Sequence, residues 1–191
     1  MTLNQFNIVG KRIDVDITKL NEHPELSEVI IKNFIVDDTF VQVLNNLKNL
    51  QNLWFVNCNF ANSLKINNVT YLRLDNCKNI RWNTINIGVS NLDVSDGDKI
   101  NVEDISGYNL KSLRLRNVSV TNLDKVEVFS NLENLFLQEI DLNQPINYSN
   151  LRMLKKVNFN GSKVENKEKY LEKLKARNIE ISFIENNYYR D

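Results

Sequence analysis

The stretch Leu110-Lys111-Ser112-Leu113-Arg114-Leu115-Arg116-Asn117-Val118-Ser119-Val120 carries large apolar residues at its first, fourth, sixth, ninth and eleventh places. Leu113 and Leu115 alternate with polar Ser112, Arg114 and Arg116, the pattern of a short strand that buries one face. The phrase recurs on both sides. Upstream it reads Leu50, Leu53, Phe55, Cys58, Phe60, then Val69, Leu72, Leu74, Cys77, then Val89, Leu92, Val94. Downstream it reads Leu132, Leu135, Leu137, Ile140, Leu142, followed by Leu154, Val157, Phe159, Ser162, Val164. Fainter copies begin at Leu3, Leu26 and Ala176. Successive starts lie 23, 24, 19, 20, 21, 22, 22 and 22 residues apart, a spread too narrow for chance clustering.

A single strand of this kind cannot bury its apolar face alone, but stacked copies can, each coil covering the next. The expected result is a parallel sheet along one flank, with the chain returning along the other. Residues 37–49 predict a helical return, since Phe40, Val43, Leu44 and Leu47 fall at i, i+3, i+4, i+7 behind the capping candidates Asp37 and Asp38. Residues 62–68 and 79–88 are too brief and polar for a full helix and predict turns or 3-10 pieces.

The leucine-rich-repeat phrase has Leu at the first, fourth, sixth and eleventh places and Asn or Cys at the ninth; with its recurring apolar places and Cys58 and Cys77 at the ninth, the chain resembles that family throughout its length. The ninth place elsewhere holds Phe34, Gly97, Val118, Ile140 and Ser162, so the array is an irregular one. The resemblance implies an α/β solenoid, a right-handed curved horseshoe with the parallel sheet on its concave face and mixed helices, 3-10 turns and loops on its convex face. It also implies one domain over residues 1–191. Residues 1–25 would form a weak N-terminal cap repeat and 26–164 the core repeats. Residues 165–191 would supply a capping helix with Tyr170, Leu171 and Leu174 inward, a last strand and a loose tail.

Composition restricts function. The 24 basic and 24 acidic residues cancel, so no global field draws the chain to nucleic acid or an anionic membrane. No apolar run approaches a membrane span, and the start lacks the pattern of a signal peptide. Two cysteines are too few for a secreted disulfide framework. The expected location is the cytoplasm, or outside the cell by a signal-peptide-independent route if the chain is an effector. The 33 asparagines, evenly spread, suggest repeated turns.

Residues fit for catalysis are scarce. The one histidine, His23, precedes Pro24 in the expected cap, away from any nucleophile. Cys58 and Cys77 lie one repeat apart and would stack in adjacent coils, within disulfide reach. Two buried thiols in ladder positions is the preferred reading over a redox pair or a metal site, since no third or fourth ligand is apparent. No glycine-rich phosphate loop occurs. The acidic segment Asp93 to Asp98 lacks the spacing and terminal glutamate of a calcium loop. No catalytic residue, metal or cofactor is expected.

If the fourth and sixth residues of each strand point inward, the third, fifth and seventh point outward onto the concave sheet. That face would carry Ile30, Trp54 and Val56 beside Tyr71, Arg73 and Asp75, an apolar island next to the residue types that dominate interface hot spots. A second group, Arg114, Arg116, Phe136 and Gln138, lies further along, with acidic Asp93 between. The expected function is non-catalytic recognition of a partner protein through these residues. A self-associating assembly, such as a homodimer, is the second class. Nucleic-acid binding through Arg73, Arg114 and Arg116 is opposed by Asp75 and Asp93.

Overall fold

In the strands between residues 28 and 158 the fourth and sixth residues of the repeat turn inward, and they organise the molecule; in the last strand Ile181 pairs with the fourth-place Val157, so that repeat starts two residues later than Ala176. In the computed structural model, which describes residues 5–9, 17–85, 88–105, 109–142, 146–164 and 167–184, the chain is α/β with parallel strands and few helices. It packs as two compact units, Met1–Asp98 and Lys99–Asp191.

In the first unit, five strands run parallel in chain order: β1 (Gln5–Val9), β2 (Glu28–Lys32), β3 (Asn52–Val56), β4 (Tyr71–Asp75) and β5 (Asn91–Ser95). Their register is unbroken: Val29 pairs with Leu53, Leu53 with Leu72, and Leu72 with Leu92. These four residues and Ile31, Phe55, Leu74 and Val94 form the core, all buried. In the second unit, β6 (Ser112–Arg116), β7 (Asn134–Gln138), β8 (Lys156–Asn158) and β9 (Glu180–Ser182) follow the same rule. There Leu113, Leu115, Leu135, Leu137, Val157 and Phe159 are buried. Short extended pieces after several strands pair between neighbouring coils, as Ile35–Val36 does with Asn59–Phe60 and Asp141–Leu142 with Lys163–Val164.

The returns follow local chemistry. Helix α1 (Asp38–Asn46) begins at Asp37, whose carboxylate accepts the Phe40 N–H at 2.9 Å, satisfying one of the amide donors a helix start leaves open. Its Phe40, Val43 and Leu44 are buried, as is Leu47 just beyond its end. Residues 62–68 form no helix, and Trp82–Thr84 is a single 3-10 turn, as their length and polarity predict. Helix α2 (Lys167–Lys175) occupies the expected C-terminal position, with Leu174 buried. The side chain of Tyr170 and the tail from 185 onward lie outside the described residues, as does most of the expected front cap before residue 17. Arg177 donates to the Tyr148 and Leu151 carbonyls, both at 2.6 Å, fastening the end of α2 to the preceding coil.

The asparagine excess has a more specific structural basis than turn formation in general. The eighth place of the repeat, directly after β2 to β7 and three residues beyond the end of β8, has left-handed backbone: Asn33, Asn57, Asn76 and Asp96 in the first unit, and Asn117, Glu139 and Gly161 in the second, with φ between 48° and 74°. There the chain must turn out of the strand while its N–H still reaches the next coil. Asn33, Asn57 and Asn76 donate to the Val56, Asp75 and Ser95 carbonyls at 2.8–2.9 Å. Asparagine tolerates this conformation better than other side-chain-bearing residues. Asn76 Nδ2 also donates to Asn57 Oδ1 at 2.8 Å, and Asn57 Nδ2 to Asn33 Oδ1 at 3.2 Å.

Candidate protein-binding face

On the outward face of the first unit the fifth-place residues align Ile30, Trp54, Arg73 and Asp93 on successive strands. The strand register alone brings them together, because parallel pairing without slippage repeats the same place at every step. The Arg73 guanidinium carbon sits 5.2 Å from the Trp54 ring centroid, and Tyr71 lies 6.3 Å from that indole at 58°. Trp54, Tyr71, Arg73 and Val56 are each half-buried. Arg73 Nη2 lies 3.6 Å from Asp75 Oδ2, and Ser95 donates to Asp75 Oδ1 at 3.0 Å. The Tyr71 hydroxyl donates to Asp93 Oδ2 at 3.4 Å.

Two residues expected to be displayed here are covered instead. Ile30 is 6 % exposed and Asp93 7 % exposed, although both belong to the outward set by register. Direction and exposure differ because a side chain between two strands is shielded by what stands beside it. Ile30 is paired with the much larger Trp54, and Asp93 lies under the Tyr71 hydroxyl. The displayed centre is therefore Trp54, Tyr71, Arg73 and Val56. Ser95, 2 % exposed, supports it through Asp75.

Trp54 Nε1 and Arg73 Nε are buried and have no hydrogen-bond partner in the structure.

The outward face of the second unit has a different character. Arg114 Cζ lies 4.6 Å from the Phe136 centroid, the two residues being register partners, and Arg116 faces Gln138. Gln138 Nε2 reaches Asn158 Oδ1 at 3.5 Å. Lys156 pairs with Glu180 at 2.5 Å. Arg114 is exposed, while Arg116, Phe136 and Gln138 are half-buried.

Cys58 and Cys77 are both buried and free. Each thiol donates to two backbone carbonyls at 3.4–3.5 Å, Cys58 to Ile31 and Val56, Cys77 to Phe55 and Asp75. A hydrogen bond from Cys77 lowers the Cys58 thiol, while that same bond, together with burial, pushes Cys77 above the usual thiol range. The acidic segment after β5 follows the repeat. Asp96 occupies the left-handed eighth place, and Asp98 accepts the Asn79 N–H. At Gly97 a Cβ would meet the Cys77 carbonyl oxygen at 3.2 Å, so a side chain at the ninth place here would require the neighbouring backbone to give by a few tenths of an ångström. Among the described residues, no three His, Cys, Asp or Glu side chains gather as a metal site would require, and no helix is long and apolar enough to cross a membrane.

No protein-family model matches this sequence, and no curated protein matches it.

Proposed function

We propose that the chain is a leucine-rich-repeat solenoid of the horseshoe type and a non-catalytic recognition module, binding a partner protein through the outward face of its parallel sheet. The observation that carries this reading is the Trp54–Arg73–Tyr71 cluster. Three side chains of the types that dominate interface energetics stand half-exposed on adjacent strands, with two donors unsatisfied. A face held by strand pairing presents such residues with little ordering cost on association. Arg114 and Phe136 offer a second anchor of similar chemistry. The net charge of zero favours a protein partner over nucleic acid, and the cytoplasm is the proposed location.

The test is capture of a partner from a lysate of the source cells, comparing the wild-type chain with Trp54→Ala, Arg73→Glu and recording the solution mass of both. Loss of a specific partner, with the urea midpoint unchanged, supports the reading; a few kcal/mol of affinity is the scale expected of such anchors. Capture that survives the double substitution would move the site elsewhere. A wild-type dimer broken by the substitutions would reassign the face to self-assembly.

A further inference from the structure

Cys58 and Cys77 occupy the same place of consecutive coils in the first unit. The β3–β4 register pairs Val56 with Asp75 and resumes at the parallel bridge between Asn59 and Lys78, so Cys58 stands opposite Cys77. The Lys78 N–H donates to the Cys58 carbonyl at 3.0 Å, holding the two backbones together at that point. Strands so paired lie about 4.8 Å apart, inside the Cα separation of about 4.4–6.8 Å that a disulfide bridges. Both side chains point into the core, 2 % and 0 % exposed, and neither contributes to the outward face.

We propose that Cys58 and Cys77 form a modification site, a dithiol that a low-molecular-weight disulfide oxidises to one cross-coil disulfide. The deprotonated Cys58 sulfur attacks one sulfur of the donor, whose S–S bond breaks, and the departing thiolate takes up a proton. Cys77 then loses its proton and attacks the Cys58 sulfur of the mixed disulfide, expelling the second half of the donor as a thiol. The two protein thiols are oxidised by two electrons and the donor disulfide is reduced to two thiols, with no other reactant. The order of attack follows the surroundings. Cys58, 2 % exposed and with its thiol lowered, attacks first, while Cys77, 0 % exposed and donating to the Phe55 and Asp75 carbonyls, holds its proton. Burial makes the reaction wait on local opening of the coils. Once formed, the bond ties β3 to β4, the strands that carry Trp54, Tyr71 and Arg73.

The experiment incubates the native chain with oxidised glutathione and maps its peptides by mass. The expected product has lost two hydrogens, retains no glutathione and yields one linked peptide containing Cys58 and Cys77. Cys77→Ser should retain one glutathione, on Cys58, and Cys58→Ser should take up none while folded, with circular dichroism confirming the fold of each. The proposal is overturned if wild-type thiols stay reduced under conditions that oxidise a urea-unfolded sample, or if glutathione remains bound without linkage. Reaction of Cys77 in Cys58→Ser as fast as Cys58 reacts in Cys77→Ser would overturn the order of attack. Should either variant fail to fold, the wild-type peptide map alone decides.

Discussion

Exchanging residues within the eighth-place column should change stability in opposite directions at two sites of one unit. Asn117 and Glu139 follow β6 and β7, both exposed, with φ of 48° and 55°. Their N–H groups donate to the Gln138 and Asn160 carbonyls at 3.0 and 3.1 Å. These bonds impose the left-handed conformation whatever the side chain, and an ordinary L-residue there gives up about 1–2 kcal/mol. Asparagine is several-fold enriched in that region, which corresponds to about 0.6–1 kcal/mol recovered. Glu139→Asn should therefore stabilise by about 0.5–1 kcal/mol, and Asn117→Glu should destabilise by at least as much. Urea unfolding followed by circular dichroism would read both as shifts of midpoint at constant slope. Two shifts of the same sign would refute the reasoning, because the backbone argument makes no distinction between the two coils. No shift in either would mean that the local turn relaxes when the side chain changes.

Other expectations concern the core and a surface pair. Leu113, fully buried at the fourth place of β6, should cost about 2–5 kcal/mol when replaced by alanine, through the cavity left between stacked coils, and an unchanged urea midpoint would disprove the inward register. Glu133 Oε2 accepts from Lys155 Nζ at 2.6 Å, and this hydrogen bond with the ammonium charge holds its carboxyl below the usual 4.5. Its contribution to stability is then present above the unfolded value and is lost as the pH falls through the lower folded one. An NMR titration should place the Glu133 midpoint below 4.5 and return it upward in Lys155→Met; equal midpoints in the two proteins would exclude the pairing.

The repeat was legible because it rests on short-range rules. Alternation of Leu113 and Leu115 with polar neighbours specifies a strand and its buried face from a few consecutive residues, and its recurrence about every 22 residues specifies stacking. Asp37 with Phe40, Val43, Leu44 and Leu47 likewise announced α1 through local capping and helical spacing. The left-handed column was written in the sequence too, as Asn33, Asn57, Asn76 and Asn117. Its role depends on where each strand ends, which the alternation does not mark, and Glu139 breaks the pattern.

Tertiary structure decided what covers what. Strand periodicity turned Ile30 and Asp93 outward, yet their burial depends on Trp54 and Tyr71, residues one coil away that local pattern does not weigh. The stacking of Arg73 on Trp54, of Arg114 on Phe136, and the clamp of Arg177 on the Tyr148 and Leu151 carbonyls arise in the same way. Each joins residues about 19 to 29 positions apart. The sequence alone determined which face the strands from β2 to β8 bury, since that is set by backbone geometry within one strand; which outward side chains remain available to a partner was set only when neighbouring coils came into register.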